Sequence, residues 1–169
     1  MFTLAATDTD VDRELARALV VAGDVPDPEI PVVTLLDLGV LRGVERRDGI
    51  IVVKLTPTYT GCPATVAIRL MVETALMDAG FGCARVETVL SPAWTTDDIT
   101  ERGRERLKEF GIAPPENGAR LTLFGSETVT CPRCASTVTE KISEFGSTAC
   151  KALWRCTSCR EPFDYFKCL

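Results

Sequence analysis

Apolar residues recur with helical spacing near the start of the chain. Val11, Leu15, Ala18, Leu19 and Ala22 fall on one stripe, which predicts a helix capped by Thr9 or Asp10 and ended by Gly23. Val25 to Pro31 holds three prolines and cannot be helix interior, so a stiff extended loop is expected there. Val32 to Val44 is apolar and reads as extended. Asp48-Gly49 then gives a two-residue hairpin signal, and Ile50 to Leu55 returns as a second strand. A second helical pattern runs from Ala64 to Ala79 and stops at Gly80, and Cys83 to Leu90 alternates as a third strand, with Cys83 read as core packing. Thr95 and Asp98 are spaced like a capping box for a helix from about Asp97 to Phe110, with Ile99, Leu107 and Phe110 on its apolar side and Gly111 as its stop.

This order predicts an α/β fold. A small α-β-β-α-β sandwich is followed by a helix and a small all-β ribbon. The boundaries expected are 8–113 for the first domain, 114–125 for a linker and 126–169 for the ribbon. The Pro-Pro-Glu-Asn-Gly stretch at 114–118 marks the break.

The ribbon is read from its cysteines. Cys131-Pro132-Arg133-Cys134 and Cys156-Thr157-Ser158-Cys159 pair two CxxC knuckles, whose four thiolates can enclose a tetrahedral Zn²⁺. The same set suits iron, alone or in a cluster. Val138 to Phe145 and Ala152 to Trp154 supply two strands. Ala135 and Arg160 follow the knuckles where glycine would more easily adopt a positive φ. Cys150 and Cys168 lie outside the pairs. They read either as buried thiols or as a spare ligand pair.

The chain of 169 residues carries a net charge of −5. Residues 1–125 hold 13 Lys and Arg against 19 Asp and Glu, and residues 126–169 hold 6 against 5. Neither part has the basic stripe of a nucleic-acid binder. No apolar run is long enough for a membrane span. Met1 to Thr7 has neither the basic nor the apolar part of a secretory signal. With eight cysteines, a cytoplasmic protein using them for metal or redox chemistry is expected. The absence of histidine excludes Ser-His-Asp and Cys-His catalysis and every histidine metal site.

One further cysteine stands apart. Gly61-Cys62-Pro63 sits between the second strand and the second helix. Pro63 suits the first helical position, which would put Cys62 at the N-cap, where the helix dipole favours a thiolate. Cys62 is thus either an activated thiol or a small buried residue. Asp27 and Glu29, in the proline-stiffened loop, are read as solvated charges or as held acids.

Asp27-Pro28-Glu29-Ile30-Pro31, Asp37-Leu38-Gly39 and the run Thr56 to Pro63 resemble the metal–sulfur cluster biosynthesis domain of iron–sulfur assembly factors such as the SUF-system T protein. Leu90 to Asp97, Gly111 to Pro115 and Glu161 to Cys168 are similar to the D-protein family of phenylacetate degradation. The likeness runs over roughly residues 10–168.

It implies a non-catalytic accessory protein of the multicomponent di-iron monooxygenase that epoxidises phenylacetyl-CoA, assisting iron–sulfur or di-iron centre assembly. It implies that Cys62, with Asp27 and Glu29, handles a transient iron or Fe–S cargo, and that Cys131, Cys134, Cys156 and Cys159 hold the ribbon metal. Cys150 and Cys168 also fit its pattern. The partners implied are subunits or the reductase of the epoxidase system. Two alternatives stay open, a structural or electron-transfer subunit of that oxygenase and a zinc-ribbon docking module.

Overall fold

The structure is a computed structural model and describes residues 8–59, 61–115 and 129–167. Helix α1 spans Asp8–Gly23. Ala18 and Ala22 of its stripe are fully buried, whereas Leu19 faces solvent. Gly23 does not end the helix by a left-handed turn. Its bare Cα instead admits Leu36, whose Cβ would lie 3.3 Å from an added methyl.

Strands β1 (Leu41–Arg47) and β2 (Ile50–Leu55) form the expected hairpin. Asp48 and Gly49 at its tip have φ of 51° and 82°, the left-handed pair that a tight two-residue turn needs. Helix α2 (Thr65–Asp78) crosses over, and β3 (Ala84–Thr88) joins β2 in parallel. The first sheet therefore has the order β1-β2-β3.

Three expectations are corrected here. Residues 32–39 are a chain of turns and not a strand. The run is apolar because Val33, Leu35 and Leu38 are core residues, but Thr34 and Asp37 bond each other's amides across the turn at 3.1 and 3.2 Å, which fixes a bend. Cys83 is exposed. The third helix is split: Thr96–Asp98 is one 3₁₀ turn, closed by Asp98 Oδ2 accepting the Thr95 N–H at 2.8 Å. Helix α3 (Glu101–Phe110) then starts afresh at Thr100, whose hydroxyl accepts the Gly103 N–H. Gly111 ends it at φ 93°, as expected, while Phe110 points to solvent.

The second sheet has the order β4-β7-β6-β5. Its strands are β4 (Ile112–Ala113), β5 (Thr139–Ser143), β6 (Lys151–Cys156) and β7 (Pro162–Phe166). β4 precedes the expected linker yet pairs in parallel with β7, so the chain enters the ribbon sheet before it leaves the first domain. Most of that linker lies outside the described residues. Buried Arg104 donates to the carbonyls of Thr96 and Pro115 and fastens the exit of α3.

The two sheets share a core. Ile112, Cys150 and Phe166 are buried in the same cluster as Val33, Leu38 and Val53. Trp94 is the hinge of this packing. Its Nε1 donates to the Leu38 carbonyl at 2.7 Å, and its ring meets Phe166 edge-on at 6.0 Å. Trp154, Tyr165 and Phe163 form a second, smaller cluster around Cys131 and Cys156. Among the described residues, no helix is long and apolar enough to cross a membrane.

Candidate functional site

The proline loop closes on itself. Pro26 bridges Thr34, the Asp27 N–H donates to Val33 and the Leu35 N–H donates to Val25. This turns the Asp27 carboxylate inward. It is 8 % exposed, and Oδ1 accepts the N–H groups of Glu29 and Ile30 at 2.9 and 2.8 Å. Burial pushes the Asp27 carboxyl up, against the pull of those two amides and of Lys151.

Cys62 faces the same space from the turn between β2 and α2. The helix does not begin where Pro63 would place it. The amide and hydroxyl of Thr65 donate to the Cys62 carbonyl at 3.2 and 2.8 Å, making a turn, and α2 starts only at Thr65. Cys62 is thus not at the N-cap of α2, which removes the helix-dipole argument for a thiolate there. Burial pushes its thiol up. The Ala64 N–H and Tyr59 hydroxyl work against this, while Glu29 and Asp27 add to it.

A cleft brings Asp27, Glu29, Cys62 and Cys150 together over an apolar floor of Ile30, Leu55 and Phe166. Cys150 arrives from the ribbon side, just before β6, and its Sγ lies 3.7 Å from Glu29 Oε2 and 3.0 Å from Thr148 Oγ1. Burial pushes the Cys150 thiol up to about 11, with Thr148 opposing and Glu29 adding.

Tyr59 joins the site from within the Thr56 to Pro63 run, a residue to which the sequence reading gave no role of its own. Its phenol is pushed up to about 12 by burial and by Cys62 beside it. Its signal in the sequence is its place in that run, three residues before Cys62. Cys168 lies outside the described residues.

The ribbon cysteines make the second site. The sulfurs of Cys131, Cys134, Cys156 and Cys159 all lie within 4.8 Å of one another. Cys131 and Cys159 are 3.8 Å apart, and Cys134 and Cys156 are 3.5 Å apart. A tetrahedral ion with metal–sulfur bonds of ~2.3 Å needs sulfurs about 3.8 Å apart, so the set fits a metal. Ala135 and Arg160 do take the positive φ that the knuckles require, 60° and 67°. The Cys159 N–H, 3.5 Å from Cys156 Sγ, draws the Cys156 thiol down to about 6. No disulfide joins the described cysteines.

With this geometry in hand, the likeness to known proteins is specific. Residues 115–167 match the PaaD zinc beta ribbon domain, and residues 15–89 match the family of iron–sulfur cluster assembly proteins. Over 145 residues the chain is 54 % identical to an Escherichia coli (strain K12) protein. That protein is named as the D component of a "Putative 1,2-phenylacetyl-CoA epoxidase", and the match covers 86 % of this chain and 87 % of that one. This chain belongs to the PaaD family.

A second relative of this PaaD-family chain is the Fe-S protein maturation auxiliary factor of Porphyromonas gingivalis (strain ATCC BAA-308 / W83). It is 32 % identical over 63 % of this chain and 92 % of its own length. In fold, the crystal structure of a domain of unknown function, DUF59, from Bacillus anthracis matches with a TM-score of 0.55 at 21 % identity. That match covers 60 % of this chain and 97 % of the other. The ribbon match and the assembly-family match thus fall on separate parts of the chain.

Proposed function

We propose that this chain is a cytoplasmic maturation factor of the phenylacetyl-CoA epoxidase system. Its cargo is iron, as an ion or within an iron–sulfur cluster. Cys62 holds the cargo transiently beside Asp27 and Glu29, and hands it to the oxygenase or its reductase. The chain itself is not the catalyst of ring epoxidation. The ribbon holds Zn²⁺ as a structural ion through Cys131, Cys134, Cys156 and Cys159.

The observation that carries this reading is the cleft. It places a thiol and two carboxylates together on an apolar floor, a donor set of mixed softness suited to iron. The names of the relatives lend it support, since one is called an epoxidase component and the other a maturation factor. The ribbon fits zinc because four thiolates close a tetrahedron and leave no open position for chemistry.

The test is Cys62→Ser in cells that make the epoxidase components. The variant should fold and keep its ribbon metal, while iron per oxygenase complex falls several-fold. Client iron equal to wild type would sink the maturation role.

A further inference from the structure

The cleft takes one of its walls from the ribbon. Cys150 is 5 % exposed, and its backbone is tied to the end of β7 by the Lys167 N–H, which donates to the Cys150 carbonyl at 3.0 Å. It lines the same cleft as Cys62, Asp27 and Glu29, with Glu29 Oε2 at 3.7 Å from its sulfur.

Lys151 is close enough to draw down both Asp27 and Cys150, so its charge must be met elsewhere for a cation to bind. Lys151 directs its Nζ to Asp164 at 3.7 Å. Arg69 lines the cleft but is an exposed residue.

We infer that the cargo site spans both modules, with Cys62 and Cys150 as its two sulfur ligands and Glu29 and Asp27 as its oxygen ligands for one thiophilic divalent cation such as Fe²⁺. This deepens the cargo reading and rests on it. Two sulfurs with two carboxylates match the borderline cations Fe²⁺, Co²⁺ and Zn²⁺ and disfavour Mg²⁺ or Ca²⁺. As the ion enters, each thiol gives up its proton, so two S–H bonds are exchanged for two metal–sulfur bonds and two protons leave to solvent.

The contrast with the ribbon is informative. Among the described residues, only the four ribbon cysteines are already gathered within 4.8 Å. Of the cleft donors, Cys150 and Glu29 lie 3.7 Å apart, while the set as a whole is not gathered like the ribbon and would close only around an ion, as suits an ion that is handed on. Cys150 also makes the site depend on a folded ribbon, since the metal there fixes the sheet from which it projects.

Cobalt is the probe. The full chain, its ribbon loaded with zinc, is titrated with Co²⁺ without oxygen, and the sulfur-to-cobalt absorption is followed. Wild type should take up one further equivalent with the intensity of two thiolates. Cys62→Ser and Cys150→Ser should each weaken binding at least about tenfold and halve that band, and Glu29→Gln should weaken binding without changing the band. Cys150→Ala, which keeps an apolar residue at this buried position, is the second substitution there, and retained zinc reports that each variant is folded.

If both Cys150 variants titrate like wild type while Cys62→Ser loses the ion, the two-module site is overturned and the cargo reading stands. If wild type takes up no ion beyond its zinc, or Cys62→Ser binds like wild type, the two-module site falls and with it the cargo as a single ion at Cys62.

Discussion

Asp37 shows what a single residue contributes to the frame around the site. Its carboxylate is fully buried, yet it meets Arg102 Nε at 2.6 Å, Arg106 at 2.7 Å and the Thr34 N–H at 3.1 Å. Burial alone would push this carboxyl up. The Thr34 amide and the two guanidinium groups outweigh that and hold it below the usual carboxylate range. The folded-state value therefore lies below the unfolded one of ~3.9. Above that value the stabilisation is fully present, and it is lost as pH falls through it towards the folded-state value, because there the unfolded chain binds more protons. Asp37→Asn should cost about 2 kcal/mol at neutral pH. That is less than the ~3–5 of a fully buried pair, because both arginines reach solvent. Urea denaturation at pH 7 and below pH 4 checks this: the variant's deficit should shrink in acid, and a deficit independent of pH would mean that the carboxylate charge is not what matters.

At the scale of elements, the packing of α3 on the 32–39 turns explains both a close contact and a misreading. A methyl at Gly103 would lie 2.6 Å from the Asp37 carbonyl oxygen, so helix and turn touch backbone to backbone. Gly103→Ala should destabilise by about 2 kcal/mol through overpacking, although alanine is the better helix former. A thermal midpoint above wild type would show that the contact yields.

The sequence announces the β1–β2 hairpin through Asp48-Gly49, because left-handed φ is a local demand. The two knuckles are equally legible, because ligand spacing is local too. Val32 to Gly39 misleads because an apolar run reports burial and not backbone shape, and the Thr34–Asp37 pair bends it. Cys62 misleads for a related reason: proline fits a turn as well as a first helical position, and Thr65 decides between them by bonding the Cys62 carbonyl. That Cys150 reaches Glu29, 121 residues away, follows from tertiary packing that no local pattern encodes.

For the whole molecule, the question is whether ribbon and α/β domain act as one body. β4 couples α3 to β7, and Phe166 at the end of β7 packs on Trp94. Among the described residues, the ribbon's own core is a small cluster around Trp154, Tyr165 and Phe163, too little to fold without its ion. Metal removal should therefore be felt at both tryptophans. Trp154 sits in the ribbon core, and Trp94 sits at the junction, bonded to Leu38. These are the two tryptophans of the chain, so Trp94→Phe and Trp154→Phe each leave one reporter. A strong chelator should shift the emission of Trp154 to the red as its core opens. It should shift Trp94 as well, because Phe166 leaves its ring and the Cys150 wall of the cleft departs with it. Added Zn²⁺ should restore both signals together. A shift confined to Trp154 would mean that the α/β domain holds its junction without the ribbon, and Cys150 could then reach Cys62 only by chance encounter. A shared transition would make the structural metal a condition for building the cargo site.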